Sequence, residues 1–79
     1  MSNLSQIGVI GLGSMGQGLS LNIAENGYKI SVFNRHLNGM EENVAQHFVA
    51  TSEHREAMTG FDKLVPFVKS LGTPRKIYP

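Results

Sequence analysis

The sequence predicts an α/β fold built on a parallel sheet, and three observations predict it. A short apolar, β-branched run, Gln6-Ile7-Gly8-Val9-Ile10, stops at Gly11. A helical pattern follows from Ser14 to Asn26, and Lys29-Ile30-Ser31-Val32-Phe33 then returns to strand character. Strand, helix and strand within about 30 residues make the βαβ unit, whose crossover is right-handed. The first run is apolar without alternation, as suits a strand covered on both faces.

Each element has its own local reason. In the first helix Met15, Leu19 and Ile23 recur every four residues as an apolar stripe, beside a row of small residues, Gly16, Ser20 and Ala24. The small row would let the helix approach the sheet closely. Asn26-Gly27 supplies a left-handed stop, and Asn34 ends the second strand. Asn38-Gly39-Met40-Glu41 resembles an N-cap with an acidic residue three positions on, which predicts a second helix from there to about Phe48 with Met40, Val44 and Phe48 on one face. Thr51 to Glu56 reads as loop or a frayed turn, and Ala57-Met58-Thr59 as a short edge strand. Asp62 caps a third helix through Leu71, because Leu64, Phe67, Val68 and Leu71 are spaced i, i+3, i+4, i+7. Pro66 falls in its first turn, where a missing N–H does little harm. Gly72-Thr73-Pro74 ends it, and Arg75-Lys76-Ile77-Tyr78-Pro79 opens a fourth strand that breaks off.

Composition bounds the possibilities. With 79 residues, 41% hydrophobic and 16% charged, the chain makes one small domain at most. A chain of that size buries only about 60–65% of its unfolded surface. The absence of Cys excludes a disulfide framework and any thiolate metal site. A net charge of +1 gives no field to attract nucleic acid or a membrane surface. No apolar run approaches the roughly 18–20 residues that span a bilayer, and Met1-Ser2-Asn3-Leu4-Ser5-Gln6 lacks the basic region of a signal peptide. A soluble, cytoplasmic segment is expected.

The chemistry lies in Gly11-Leu12-Gly13-Ser14-Met15-Gly16, a G-x-G-x-x-G sequence that follows a strand and opens a helix. Gly11 permits the tight turn, Gly13 lets the backbone approach a pyrophosphate, and Gly16 lets the helix pack on its strand. The helix start offers N–H groups and the positive end of its dipole to phosphate. This is the dinucleotide fingerprint of a Rossmann domain.

The residues just past the second strand decide which dinucleotide is expected. NAD and FAD sites carry Asp or Glu about 20 residues after the glycines, to hold the ribose hydroxyls. This chain has Asn34-Arg35-His36 there. A carboxylate would repel the 2′-phosphate of NADP, whereas Arg35 can grip it bidentately and stack on the adenine. Asn34 and His36 can add donors. NADP is therefore expected over NAD. If the His36 imidazole touches the phosphate, affinity should rise as pH falls through about 6–7.

These segments resemble a known family. The glycine motif, then Leu19-Ser20-Leu21-Asn22-Ile23-Ala24-Glu25-Asn26-Gly27-Tyr28 and Phe33-Asn34-Arg35, are similar to the N-terminus of 6-phosphogluconate dehydrogenases, the decarboxylating NADP enzymes of the pentose phosphate pathway. Phe67-Val68-Lys69-Ser70-Leu71 with Pro74-Arg75-Lys76-Ile77 resembles that family's third helix and entry to its fourth strand. His36 departs from the Thr usual there. The resemblance covers nearly the whole chain and is weakest from Val49 to Gly60. It implies oxidation of 6-phosphogluconate by NADP, decarboxylation to ribulose 5-phosphate, and a homodimer. The family's general acid and base and its substrate groups lie downstream, many in a helical domain, so residues 1–79 are expected to be the N-terminal part of the NADP-binding domain, a partial Rossmann unit inactive alone. The broken fourth strand is expected to leave one side of the first strand uncovered.

Two rival readings share these residues. β-Hydroxyacid dehydrogenases also carry a GLGxMG opening and often an Asn-Arg pair, and a non-catalytic nucleotide-binding module can use the same fold. The Leu-Ser-Leu-Asn-Ile helix and the Pro-Arg-Lys-Ile segment favour the phosphogluconate enzymes. FAD and S-adenosylmethionine binders want an acid where Asn34-Arg35 sits. His47 and His54 fit no common zinc spacing and read as surface residues, while Met40 and Met58 read as core fillers. Asn3-Leu4-Ser5 is a sequon of no use without a secretory signal. Arg75-Lys76 is too short a basic run for nucleic acid.

Overall fold

Four parallel strands form one sheet in the computed structural model, which describes residues 4–72 and the backbone of 77–78. They are β1 (Ile7–Ile10), β2 (Ile30–Phe33), β3 (Met58–Phe61) and β4 (Ile77–Tyr78), in the order β3-β2-β1-β4. Between them lie α1 (Ser14–Glu25), α2 (Val44–Thr51), a single 3-10 turn at Arg55–Ala57, and α3 (Leu64–Leu71). The chain steps outward from β1 to β3 and returns to the far side of β1, so the strand order reverses there. That reversal, with the glycine turn at the end of β1, is the first half of a Rossmann sheet, as the sequence predicts.

Period-two alternation assigns the faces. Val9, Ile30, Val32 and Met58 share the face covered by α1 and α2, where Ala24, Ala45 and Leu12 complete the core and Ile23 and Phe48 pack at its margin. Gly8, Ser31, Phe33 and Phe61 point the other way, toward α3. Fully buried Phe67 lies there, its ring 5.6 Å from Phe33 and 6.2 Å from Phe61. A Cβ on Gly8 would stand 2.8 Å from the Phe67 ring and 2.9 Å from Leu71, so a strand glycine makes room for the helix. Three hydroxyls bridge the same side: Ser70 Oγ donates to Ser31 Oγ, and Ser31 Oγ to Ser5 Oγ, each at 2.7 Å.

Several expected boundaries shift, for local reasons. β1 is not an edge, because β4 pairs with it at Gly8–Ile77 and Val9–Tyr78. The outer strands among the described residues are β4 and β3, and β3 runs on to Phe61. In α1 the row Gly16, Ser20 and Ala24 faces the sheet; of the predicted apolar stripe Ile23 reaches the margin of the core, while Met15 is 89% exposed and Leu19 37%. Close approach of the helix requires small side chains at the contact, which turns the longer ones outward.

The second helix begins at Val44 and runs to Thr51. Asn38-Gly39 makes a reverse turn instead of a cap, with Gly39 at φ +80° and an antiparallel bridge between Leu37 and Glu41. Asn43 then adopts a left-handed conformation at φ 54° before the helix starts. Met40 consequently sits 79% exposed, not in the core, whereas Met58 is buried. α3 starts at Leu64 with Lys63, not Asp62, at its N-cap, and Leu64 itself is exposed. Asn3, Thr73-Pro74 and Arg75-Lys76 lie outside the described residues. No helix among the described residues is long and apolar enough to cross a membrane.

Candidate functional site

The C-terminal ends of β1 and β2 meet above the core, and the glycine turn joins them. Gly11 takes φ +89°, a conformation open to glycine at little cost, and its N–H donates to Phe33 O at 2.8 Å. A Cβ on Gly16 would lie 1.9 Å from Gly11 O, so only glycine allows α1 to leave the turn at this angle. Gly13 is different. Its backbone is ordinary for any residue (φ −70°, ψ −174°), and an added Cβ would meet nothing within 4 Å. Gly13 therefore keeps space clear at the mouth of the turn, where backbone could approach an anion.

Helix α1 starts there. Gln17 N–H makes the bond back to Gly13 O at 2.9 Å, so the N–H groups of Ser14, Met15 and Gly16 precede the helical ladder. Ser14 and Met15 are exposed, and Gly13 caps the helix with no side-chain hydrogen bond. A cradle cleared by Gly13 and a helix start free of side-chain caps fit a pyrophosphate. Leu12 has a different role: its side chain is buried, and its N–H donates to Asn34 Oδ1 at 2.9 Å. Gln17 Nε2 also donates to Leu12 O at 2.9 Å, fixing the turn from the helix side.

Asn34 is thus buried at 6% exposure, and it braces the turn. Its Nδ2 donates to Glu41 Oε1 at 3.0 Å and to Arg35 O at 3.3 Å. Arg35 is exposed beside it, with Nε donating to Glu41 Oε2 at 2.8 Å. His36 is also exposed: Nε2 lies 2.7 Å from Asn38 Oδ1, and Nδ1 lies 3.7 Å from Asp62 Oδ2. Of the three residues expected after β2, Asn34 bonds the glycine turn through Leu12 N–H, Arg35 shares Glu41 with Asn34, and His36 turns to Asn38 and Asp62.

Sequence reasoning missed Glu41. The cap pattern assigns that residue to the first turn of a helix, and the Asn38-Gly39 reverse turn instead folds it back on Asn34 and Arg35. The signal was present in that dipeptide, which favours tight turns. The hydrogen bond from Arg35, then that from Asn34, holds the Glu41 carboxyl below the usual carboxylate range. His47 is exposed and His54 half-buried, and no three His, Asp or Glu side chains among the described residues are placed to hold a metal ion.

Comparison with known proteins gives a consistent picture. Residues 6–78 match the family described as the NAD binding domain of 6-phosphogluconate dehydrogenase. The decarboxylating 6-phosphogluconate dehydrogenase 2 of Arabidopsis thaliana is 44% identical over 73 residues, 92% of this chain and 14% of the relative. The decarboxylating enzyme of Klebsiella pneumoniae is 45% identical over 78 residues, 91% of this chain and 14% of the relative. That of Trypanosoma brucei brucei is 41% identical over 70 residues, 89% of this chain and again 14% of the relative. The chain thus spans about one-seventh of the length of these relatives.

Proposed function

The chain belongs to the family of NAD binding domains of 6-phosphogluconate dehydrogenase, and from that premise we propose that it binds NADP through the adenosine end. The observation that carries this reading is the exposed Arg35 guanidinium at the end of β2, beside a glycine turn that keeps a backbone cradle open. The backbone around Gly13, Ser14 and Met15 would receive the pyrophosphate, with the helix dipole behind it. Arg35 would hold the 2′-phosphate, and His36 would add a donor. Asn34 contributes by bracing the turn. NADP supplies a hydride acceptor when bound. The chain's own part is to fix and orient that acceptor.

The wider reading rests on the names of the relatives for 6-phosphogluconate and its decarboxylation, and on the sequence resemblance for ribulose 5-phosphate, the homodimer and the compartment. The chain serves oxidative decarboxylation of 6-phosphogluconate to ribulose 5-phosphate, in a cytoplasmic homodimer, with the catalytic groups in parts of the enzyme that this sequence does not cover. A β-hydroxyacid dehydrogenase is disfavoured by the family match. The test is binding of 2′,5′-ADP against 5′-AMP by calorimetry. A preference for 2′,5′-ADP that Arg35→Glu abolishes supports the reading, and equal affinities in the unmodified chain overturn it.

A further inference from the structure

The donors gathered at the end of β2 already share an anion. Arg35 Nε and Asn34 Nδ2 converge on the two oxygens of Glu41, at 2.8 and 3.0 Å. The carboxylate is held there by the backbone beneath it. Leu37 N–H donates to Glu41 O at 2.6 Å and Glu41 N–H to Leu37 O at 2.8 Å, closing the turn that carries Glu41 back to the strand end. To a guanidinium, a carboxylate and a phosphate monoester offer the same recognition: oxygens sharing negative charge, able to accept in parallel.

We infer that Glu41 is a specificity-determining residue, an internal anion that competes with the 2′-phosphate for Arg35 and so narrows discrimination between phosphorylated and unphosphorylated adenosine ligands. The inference rests on the proposed role of Arg35. A 2′-phosphate reaching Arg35 must either displace the carboxylate from Nε or bind beside it, and both oppose binding. A ligand with a free 2′-hydroxyl meets no such penalty, because a carboxylate can accept a hydrogen bond from it, as the acid at this corner does in NAD sites. Specificity is the difference between the two affinities, and Glu41 shrinks it from both sides. Its depressed pKa keeps Glu41 ionised at neutral pH, so protonation does not relieve the competition. Exposure of the Arg35 side chain, at 71%, leaves it free to exchange partners.

The experiment measures dissociation constants of 2′,5′-ADP and 5′-AMP for the whole chain, unmodified and with Glu41→Gln or Glu41→Ser, at low ionic strength. Either variant should tighten 2′,5′-ADP by about tenfold, the scale of a like-charge contact near a protein surface, and leave 5′-AMP unchanged or weaker. If the unmodified chain prefers 2′,5′-ADP and neither variant widens the ratio, Glu41 is not a competitor, while the Arg35 reading stands. If the unmodified chain does not distinguish the two ligands, the Arg35 reading fails and this inference fails with it. A measurement on the unmodified chain guards against loss of folding in the variants. The NMR signal of Arg35 Nε–H should shift on saturation with 2′,5′-ADP and stay in place with 5′-AMP. An unmoved signal under bound 2′,5′-ADP overturns the inference.

Discussion

Asn34 Oδ1 accepts the backbone N–H of Leu12 at 2.9 Å, a buried bond that ties the end of β2 to the glycine turn after β1. The residue expected to add a donor to the ligand also braces the loop that would hold it. Asn34→Ala removes the acceptor that the structure gives this N–H. An orphaned buried donor costs about 1–3 kcal/mol. Thermal melting should show that loss, and 2′,5′-ADP and 5′-AMP should weaken by similar factors. A variant that loses only the 2′-phosphate preference would show that Asn34 acts on ligand directly.

The last two glycines of the motif separate folding from binding. Gly16→Ala sets a Cβ 1.9 Å from the Gly11 carbonyl oxygen and should destabilise the chain by about 1–3 kcal/mol or more, as overpacking does. Gly13→Ala meets no protein atom within 4 Å and needs no unusual backbone, so the melting temperature should stay within about 2–4 °C of the unmodified chain. Its methyl group would still fill the mouth of the turn and weaken NADP. Equal melting losses in both variants would contradict this division.

Phe67 fills the space between α3 and the sheet, against Phe33, Phe61 and the bare Cα of Gly8. Phe67→Ala should cost about 3–5 kcal/mol. Natural domains hold only about 0.05–0.15 kcal/mol per residue, so the loss takes a large share of the stability and should lower the melting temperature by more than about 10 °C by circular dichroism. Native-like melting would mean that α3 is dispensable.

The Arg35–Glu41 pair gives stability a definite pH sign. The Glu41 carboxyl titrates lower in the folded chain than in the unfolded one, chiefly through its bond from Arg35. Its contribution is therefore complete above the unfolded carboxylate range, about 4.3, and is lost as pH falls through the folded value. The melting difference between the unmodified chain and Glu41→Gln should be present at pH 7 and should vanish in strong acid. A difference that grows on acidification would reverse the assignment.

The strands, the glycine turn and the first helix were legible in the sequence because each is set by local sterics. β-Branched runs favour extended backbone, Gly11 alone tolerates its turn, and Asn26-Gly27 stops the helix that follows. The segment from Leu37 to Asn43 was not, because two local signals compete in it. A cap pattern and an Asn-Gly turn overlap there, and the turn prevails once Leu37 and Glu41 can bond across it.

Sequence alone thus dictates that a strand, a glycine turn and a helix stand in line, with a guanidinium after the next strand. Folding in three dimensions settles the rest: Asn34 faces inward to Leu12, Ser5, Ser31 and Ser70 share one chain of hydroxyls, and Glu41 returns to Arg35. The cause is distance along the chain. Local backbone preference acts over a few residues, whereas these contacts join groups that become neighbours only when the sheet brings its strands into register.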